Sequence, residues 1–510
     1  MIRKSKNEIK INQDFNGNFG IYIYQDSISS YFAISNSFFI LEEYVSKIKK
    51  ISLNKDYTDN FLISDVCTPT LYETMIKEIT KIPSNAYIII NLTLKQLKIY
   101  YIDYKEHTIP LETQEGLKII DEWIDKWGYI IRSLKKKTDN ISTDLSGGFD
   151  TRVILSLFLN SGIDLNTILI NTFKDKKICH AEDMKIALNI SKKFDFQLNN
   201  HTLDKKENIW NIKDSLFSSM SAKLGFHKEF FLKGRFFYKP RISFSGGGEI
   251  RGYPCMPVEK YIYYISSRSK DLGKEFYNSS KRLCHRSISL LKKTKTYNNN
   301  YEISSDFYTK GRSANHDGKN SLEVYLSNIY NIQPMIDSDI KKIKFNMNSN
   351  STHDLVAYIY MRLVPDLIYF PFQGNRTLNT ESVKKAKILN KLKGLYKIKT
   401  DLNDNFYIDF ERESPVSNSN DNKNISQFLM ELFESSMFIE SITKIYDIKI
   451  YQSAKSFNSS YFPFRYLYGL LSIAIISDNL TPVQICMKNL RYKKNIGKRK
   501  KIIKYLLNIK

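Results

Sequence analysis

The first residues with a pattern suited to chemistry are Ser-Gly-Gly-Phe-Asp-Thr at positions 146–151, which we call the first glycine turn. They follow a short apolar segment and precede apolar residues at helical spacing. Adjacent glycines let the backbone approach a ligand closely, and the first N–H groups of a helix attract anions. Asp150 adds a carboxylate, which beside phosphate indicates Mg²⁺ rather than a direct phosphate contact. The turn is therefore predicted to bind phosphate through Ser146, Gly147, Gly148 and Thr151, with Asp150 as metal ligand.

The alternative interpretation of this stretch is a strand-to-helix turn that merely needs small residues. The pattern also differs from a P-loop, because no lysine follows the glycines. The flanking strand and helix patterns favour the ligand-binding interpretation.

A second glycine turn lies at positions 245–249, Ser-Gly-Gly-Gly-Glu, and again follows a short apolar segment, Arg241–Phe244. A lone glycine triplet is weak evidence, but a second strand-and-glycine unit about 100 residues after the first strengthens both. Glu249 follows these glycines, and one interpretation of it is a carboxylate on a surface turn.

The elements around the turns predict a parallel sheet. Strand Ser142–Leu145, helix Thr151–Leu159, strand Thr167–Phe173 and helix Glu182–Phe194 alternate in short runs, as in α/β folds with right-handed crossovers. Ligands of such sheets bind outside the carboxyl ends of the strands. We therefore expect the first glycine turn and Asn171–Phe173 to line one crevice.

The rest of the chain is predicted in three parts, with boundaries at 1–115, 116–400 and 401–510. The first part carries two hairpins, and Tyr72–Ile79 between them is predicted as a helix. The second part opens with the helix Gly116–Ile131 and contains the parallel sheet. The third is helical after a polar linker, with a core helix at Tyr468–Ile476 and a basic tail at Lys488–Lys510.

Composition leaves several partners open. The net charge of +24 fits nucleic acid, an anionic surface or substrate, or the codon bias of an AT-rich genome, and the abundance of Lys, Asn, Ile and Tyr favours the last. The five cysteines are scattered without a C-x-x-C pair, which predicts a reducing, cytoplasmic setting. Cys284-His285 lacks metal spacing and is predicted on a solvated helix face. Neither a signal peptide nor a membrane-spanning segment is predicted.

Together, the two glycine turns and Pro334–Asp337 resemble the asparagine synthetase family of the PP-loop ATP-pyrophosphatase superfamily. The resemblance implies an Ntn-hydrolase-like N-terminal α+β domain, a parallel-sheet synthetase domain and a helical C-terminal extension. It implies ATP and Mg²⁺, with the backbone at Leu145 and Thr172 near adenine and Gly246 and Gly247 near the nucleotide. Asp150 and Glu249 would be catalytic. Lys384, Lys385 and Lys387 match the family's lysine by position only.

Two departures from that family pattern affect the expected activity. The family's glutaminase domain exposes a cysteine nucleophile after Met1, where this chain has Ile2. Without that thiol, acyl transfer from glutamine has no nucleophile, so we expect a retained scaffold without glutaminase activity. In the second glycine turn, Gly248 stands where the family has aspartate and Arg251 is also non-standard, which indicates a missing metal ligand or a different substrate.

Three functions therefore remain open. The first is an AMP-forming ligase that adenylates a small-molecule, peptide or glycan carboxylate and joins it to an amine or ammonia. The second is a tRNA-modifying PP-loop enzyme, which the charge favours but which leaves the second glycine turn and Pro334–Asp337 unexplained, so nucleic acid is disfavoured as a partner. The third is a non-catalytic scaffold. The sequence does not indicate the oligomeric state.

Overall fold

The structure is a computed structural model of the 510-residue chain. It describes residues 2–14, 17, 19–26, 28–63, 68–102, 109–172, 178–200, 208–209, 235–236, 239–247, 256–267, 272–297, 299–315, 324–325, 327–344, 349–392, 425–456 and 465–477.

The strands in chain order are β1 (Ile2–Lys4), β2 (Glu8–Asn12), β3 (Tyr22–Gln25), β4 (Phe32–Ser35), β5 (Ile79–Lys81), β6 (Ala86–Asn91), β7 (Gln96–Tyr101), β8 (Ile109–Pro110), β9 (Ile141–Asp144), β10 (Leu169–Asn171), β11 (Asn208–Ile209), β12 (Arg235–Phe236), β13 (Arg241–Phe244), β14 (Ile329–Ile332) and β15 (Ile343–Lys344).

The helices are α1 (Phe38–Ser46), α2 (Lys55–Ile63), α3 (Gln114–Lys137), α4 (Phe149–Ser161), α5 (Ile178–Phe194), α6 (Val258–Ser267), α7 (Lys274–Thr294), α8 (Asn300–Asp306), α9 (Ser338–Lys341), α10 (Ser349–Leu363), α11 (Thr380–Asn390), α12 (Ile425–Phe433), α13 (Ser436–Thr443), α14 (Ile448–Ser456) and α15 (Arg465–Ile476). A π-helical segment at Phe307–Ser313 continues α8.

Two antiparallel sheets are built from the first seven strands, in the orders β1-β2-β6-β7 and β4-β3-β5. Both predicted hairpins are confirmed, as β3 with β4 and β6 with β7. Because side chains alternate along a strand, Ile23 packs between the sheets with Ile88 and Leu97. Tyr22 and Tyr24 pack on the opposite face against helices. Strand β3 is therefore buried on both faces.

The helix predicted at Tyr72–Ile79 is wrong. The segment forms a turn followed by β5, with isolated bridges from Ile76 to Leu53 and from Glu73 to Thr80. The buried Thr74 hydroxyl donates to the carbonyl oxygens of Ile76 and Ile79 at 2.8 and 2.7 Å. These pairings satisfy the backbone and override the local helical pattern, as tertiary context commonly does.

The helices after residue 424 share a core with the N-terminal strands and helices. Buried Asp59 on α2 accepts hydrogen bonds from Lys55 Nζ at 2.6 Å and from Ser279 Oγ on α7 at 2.8 Å. It also accepts from the Tyr446 hydroxyl at 3.1 Å. Three separate parts of the chain therefore meet at one carboxylate. The predicted core helix at Tyr468–Ile476 is confirmed as part of α15, which is buried here.

Helix α7 also corrects the prediction for Cys284. The side chain is fully buried while His285 is exposed, so only part of the predicted face is solvated. Burial raises the pKa of the Cys284 thiol to about 12. The thiol therefore stays protonated near neutral pH and is a packing group.

The central sheet is parallel, with the described strands in the order β10-β9-β13-β14. Helices α3, α4, α5, α10 and α11 share one hydrophobic core with it. The mixed α/β class, the parallel sheet and the predicted helices over Gly116–Ile131, Thr151–Leu159 and Glu182–Phe194 are confirmed.

Candidate functional site

The order of the parallel strands creates a crevice between β9 and β13. From β9 the chain crosses to β10 on one side, and β13 and β14 lie on the other side. In open α/β sheets, ligands bind at such a reversal, outside the carboxyl ends of the strands. The first glycine turn directly follows β9 and the second directly follows β13. Topology therefore brings both predicted turns to this crevice.

The two turns touch each other. Gly246 lies against the first turn of α4, where an added Cβ would be 2.8 Å from Asp150 Cβ and 2.9 Å from the Thr151 nitrogen. No side chain fits in that space, so the glycine at 246 is required by packing. The second turn thereby brings its backbone to the N-terminus of α4.

The first glycine turn is held by its own hydroxyl groups. Gly148 is the N-cap of α4 and supplies no side chain to the first helical N–H groups. The Ser146 and Thr151 hydroxyls lie 3.0 Å apart, and Gly148 N–H donates to Ser146 Oγ at 3.2 Å. The backbone N–H of Ser146 donates to Thr151 Oγ1 at 3.1 Å. Ser146 and Thr151 therefore shape the turn that leads into an uncapped helix start.

Gly147 is fixed from two other segments of the chain. Its N–H donates to Asp183 Oδ1 on α5 at 2.7 Å, and its carbonyl oxygen accepts from Gln373 N–H at 3.1 Å. An added Cβ would lie 2.6 Å from Asp183 Oδ1. The Gly147 N–H, predicted to bind phosphate, is therefore occupied by a protein carboxylate in this structure.

The turn after Phe372 also contacts α5 and the first glycine turn. Gly374 and Asn375 have positive φ angles, and both N–H groups donate to Glu182 Oε1, at 2.7 and 3.3 Å. Adjacent carboxylates on α5 thus hold two loops, Asp183 the first glycine turn and Glu182 this one. The arrangement places the exposed Arg376 on the loop beside Gly147.

Arg152 connects the beginning of α4 to the residues that precede this loop. Its fully buried guanidinium donates from both terminal nitrogens to the carbonyl oxygens of Phe370 and Pro371, at 2.9 and 2.8 Å. The same group stacks over the Phe372 ring at 4.0 Å. Desolvation lowers the pKa of Arg152, but the two carbonyl oxygens and the ring stabilise the cation.

Phe149, which lies between the glycines and Asp150, is also enclosed. Its ring packs against Phe372 with centroids 4.2 Å apart and edge-on against His353 at 5.3 Å. The Tyr360 hydroxyl on α10 donates to the Phe149 carbonyl oxygen at 3.4 Å. These contacts hold Phe149 at the start of α4.

Leu145 and Thr172 lie at the ends of adjacent strands, as predicted. The N–H of Leu145 donates to the Asn171 carbonyl oxygen at 2.8 Å. The N–H of Thr172 donates to Asn199 Oδ1 at 2.9 Å. Both backbone donors near the expected nucleobase position therefore have protein partners.

Asp144, which the sequence patterns do not single out, is the last residue of β9, two residues before the first glycine turn. Its side chain is exposed, although Thr143 and Leu145 on either side are buried. Desolvation raises the pKa of Asp144, and the side chain of Asn171, which lies opposite it in the sheet, lowers that pKa in part. An acidic side chain thus lies beside the first glycine turn.

Pro334–Asp337 follows β14 at the same edge of the sheet. Asp337 accepts from Trp127 Nε1 at 3.0 Å and pairs with Lys126 at 2.6 Å, while Trp123 Nε1 donates to the Pro334 carbonyl oxygen at 3.1 Å. These contacts fix the segment to α3. The preceding Gln333 lies against Gly247, where an added Cβ would be 2.4 Å from Gln333 Nε2.

The candidate lysines lie on α11, and the ion pairs described for them are to residues outside both glycine turns. Lys384 pairs with Glu381, which raises the pKa of Lys384. Lys385 pairs with Asp354 at 2.8 Å and with Glu112. Lys387 is exposed. Nothing in these contacts brings a lysine to the first glycine turn.

Several predicted features lie outside the described residues. These are Glu249 with Gly248 and Arg251, Phe173, and the basic tail. Within the described part of the chain, no group of three or more His, Cys, Asp or Glu side chains could hold a metal ion.

Asp183, Arg152 and Gln373 are site residues that sequence reasoning missed. Arg152 directly follows the motif, which was a usable signal, whereas the other two are distant along the chain. No protein-family model matches this chain, and a search of curated proteins gives no match. Of the helices in the ranges given above, none is both long and apolar enough to cross a membrane.

Proposed function

We propose that the chain is an AMP-forming ligase that binds ATP at the two glycine turns. In this reaction a substrate carboxylate attacks the α-phosphate of ATP, giving an acyl-adenylate and pyrophosphate. An amine or ammonia then attacks the acyl carbon to form an amide and release AMP. Resemblance to the asparagine synthetase family supports this assignment, including an Ntn-hydrolase-like fold for the N-terminal sheets without glutaminase activity.

One observation carries the proposal. Gly246 packs against Asp150 and Thr151 at the uncapped start of α4, and this junction lies where the strand order reverses. Protein atoms fill the positions that Cβ atoms would take at Gly147, Gly246 and Gly247, so the glycines let the two turns pack closely at the edge of the sheet where a phosphate chain would bind. A turn needed only to connect strand and helix would not require a second glycine turn packed against it.

The residues of the first glycine turn have distinct roles in this proposal. The uncapped N–H groups at the start of α4 stabilise the negative charge that develops on pyrophosphate. The hydroxyls of Ser146 and Thr151 exchange their mutual contact for phosphate oxygens. Arg152 and Asp183 do not contact the ligand in this proposal, and they position the turn through their contacts with other segments of the chain. This preorganisation lowers the cost of forming the transition state.

The residues present fit Mg²⁺ bound together with ATP. Asp150 is half-buried in the first turn of α4, and Mg²⁺ commonly binds one or two carboxylates together with substrate phosphates. The ion would supply charge neutralisation at the phosphate oxygens. Asp150 would orient the ion and thereby the phosphate chain.

The product of ATP cleavage tests the proposal. The full-length chain is incubated with Mg²⁺, ATP labelled at the α-phosphate, and pools of amino acids, uronic sugars or cell-extract carboxylates. Formation of labelled AMP with stoichiometric pyrophosphate is expected with one pool. Labelled ADP would show cleavage at the wrong bond. No cleavage with any pool, together with no ATP binding by calorimetry, would favour a non-catalytic scaffold.

A further inference from the structure

A cavity of about 370 Å³ lies where the N-terminal strands meet α7. Its volume falls within the range of about 300–1,000 Å³ that small-molecule sites occupy. Its walls come from the turn before β5, from β5 and the two residues after it, from the end of β7 and from one side of α7. None of these segments belongs to the parallel sheet or to a glycine turn, so the cavity is separate from the site described above.

The cavity extends the space between the two antiparallel sheets. Ile82 and Ile99 belong to the hydrophobic cluster between the sheets and also line the cavity. Because side chains alternate along a strand, Tyr101 lies on the same face of β7 as Ile99. It is paired with Ala86, whose small side chain does not fill the space at the end of the sheets, and Tyr101 is 43% exposed. The hydrophobic cluster therefore gives way to an open space with a tyrosine in its wall.

One side of α7 closes the cavity. Its lining residues run from Arg286 to Lys293 at spacings of three and four residues, so they lie on one side of the helix. Arg286 is fixed by two carboxylates, since its Nε donates to Glu73 Oε1 at 2.9 Å and its Nη1 to Asp56 Oδ2 at 2.7 Å. These ion pairs balance the charge of Arg286 and hold α7 against the N-terminal part of the chain.

The other charged groups in the lining are positive. Of the described residues that line the cavity, none is an aspartate or a glutamate, whereas Lys81 and Lys293 bring two ammonium groups. Lys81 is 5% exposed, and its Nζ donates to Asn315 Oδ1 at 2.9 Å. The Asn315 amide nitrogen donates to the carbonyl oxygens of Thr68 and Thr70 at 3.0 and 2.7 Å. The lining thus combines a fixed cation from β5 with an exposed cation from α7.

Two tyrosines add neutral hydrogen-bond donors. The backbone N–H of Lys81 donates to the Tyr72 carbonyl oxygen at 2.6 Å, which holds these two residues together. Desolvation raises the pKa of both Tyr72 and Tyr101, so both hydroxyls keep their protons near neutral pH. Phenol and ammonium groups donate hydrogen bonds to oxyanions. The apolar side chains of Ile99 and Leu290 offer a surface for the rest of a ligand.

We propose that this cavity binds a small organic anion, whose carboxylate or phosphate group is bound by Lys81 and Lys293 and whose apolar body packs against Tyr101. An anion suits the cavity because the charge of Arg286 is already balanced, which leaves the two lysines to make the lining positive. Hydrogen bonds between charged partners are stronger than those between neutral ones. A neutral ligand of the same shape would gain only the apolar contacts. The inference does not depend on the proposed ATP-binding function.

The test measures binding of benzoate, phenyl phosphate and benzamide to the full-length chain by ligand-observed NMR titration. Benzamide has nearly the shape of benzoate but no charge. We expect at least one of the two anions to bind with a Kd of about 1 mM or tighter, as fits fragments of this size. Benzamide should bind at least about tenfold more weakly than that anion, because it lacks the charged group. The more tightly bound anion identifies the preferred oxyanion.

Matched variants test whether the anion binds in this cavity. Lys293→Glu reverses a charge in the lining and should weaken binding of the preferred anion at least about tenfold. Lys292→Glu makes the same change at the neighbouring exposed residue, which does not line the cavity, and should stay within about threefold at about 0.15 M salt. Tyr101→Ala should also weaken binding, whereas Tyr100→Ala, at a residue 40% exposed on the opposite face of β7, should bind as wild type does. Circular dichroism checks that each variant is folded.

Four outcomes would overturn the inference. Neither anion binds wild type at concentrations up to about 10 mM. Benzamide binds as tightly as the better anion. Lys293→Glu binds that anion as wild type does, which places the anion elsewhere. Lys293→Glu and Lys292→Glu lose affinity equally, which assigns the effect to general attraction by a basic surface. None of these outcomes bears on ATP binding at the glycine turns.

Discussion

The backbone N–H of Gly147 donates a hydrogen bond of 2.7 Å to Asp183 Oδ1, and both residues are buried. The contact joins the first glycine turn to α5, the helix after the next strand. A buried N–H group without a partner costs stability. Asp183 therefore fixes the turn in a shape that the glycines alone would not hold.

Removing this acceptor should destabilise the fold. We expect Asp183→Ala to lower the free energy of unfolding by about 1–3 kcal/mol, because Gly147 N–H is left unpaired. Asp183→Asn keeps an oxygen acceptor and should lose less. Urea unfolding measures both, with Lys185→Ala on the exposed side of the same helix as control, expected to stay within about 0.5 kcal/mol. An Ala variant as stable as wild type would contradict the assigned role.

A methyl group at position 246 should separate the two turns. In Gly246→Ala the added Cβ would lie 2.9 Å from the backbone carbonyl carbon of Asp150, and backbone cannot move aside as a flexible side chain can. We expect affinity for ATP to fall at least tenfold by calorimetry, the loss of about one strong contact. Gly128→Ala on α3, where the nearest atom is the flexible Arg132 Nη1 at 3.3 Å, should bind ATP normally. Normal ATP affinity in Gly246→Ala would show that the contact between the turns is unimportant for binding.

Arg152 should stabilise the fold through its two hydrogen bonds and not only through its positive charge. Arg152→Lys keeps a cation but cannot reach Phe370 and Pro371 together. We expect it to lower the free energy of unfolding by about 2–3 kcal/mol, because a buried carbonyl oxygen loses its charged partner. Chemical denaturation measures the change. Arg376→Lys serves as the control, since Arg376 is exposed and should tolerate it. Equal stability of the two variants would argue against the anchoring role of Arg152.

The pH dependence of stability should show that ionisation of Asp144 lowers the free energy of unfolding. Since desolvation raises its folded pKa above the unfolded value, Asp144 favours folding at pH values below the ordinary aspartate pKa of about 3.9. That contribution is lost as the pH rises through the folded value. Asp144→Asn should therefore be more stable than wild type at neutral pH, and the difference should shrink as the pH falls toward about 4. Urea unfolding midpoints of both proteins, measured across this pH range, test the prediction. A variant less stable than wild type at pH 7 would contradict it.

The sequence predicts the parts of the site that are local in the chain. The strand, glycines and helix around Ser146 lie within one stretch, so their periodicity and turn residues are visible together. The same holds for β13 and the second glycine turn. Parallel strands follow from their alternation with helices, and that rule places both turns at one edge.

The supports of the site are not local. Asp183 is 36 residues from Gly147, and the Phe370 carbonyl oxygen is 218 residues from Arg152. No periodicity encodes such a pairing, since it depends on how α5 and the loop after α10 pack on α4. Tyr72–Ile79 fails for a related reason, because its backbone pairs with residues 52–54 and with the following β5 instead of forming a helix. Asp144 carries no signal in the sequence, because a polar residue at the end of a strand resembles the start of an ordinary turn.

The proposed function requires that the first glycine turn bind ATP for adenylate transfer. ATP–pyrophosphate exchange tests it most directly, with wild type, Asp150→Asn and the exposed control Asp447→Asn offered the same carboxylate pools. We expect exchange that requires one carboxylate, persists in Asp447→Asn and falls by at least about 100-fold in Asp150→Asn, as for loss of a main electrostatic contact in a transition state. Exchange at the wild-type rate in Asp150→Asn would contradict it.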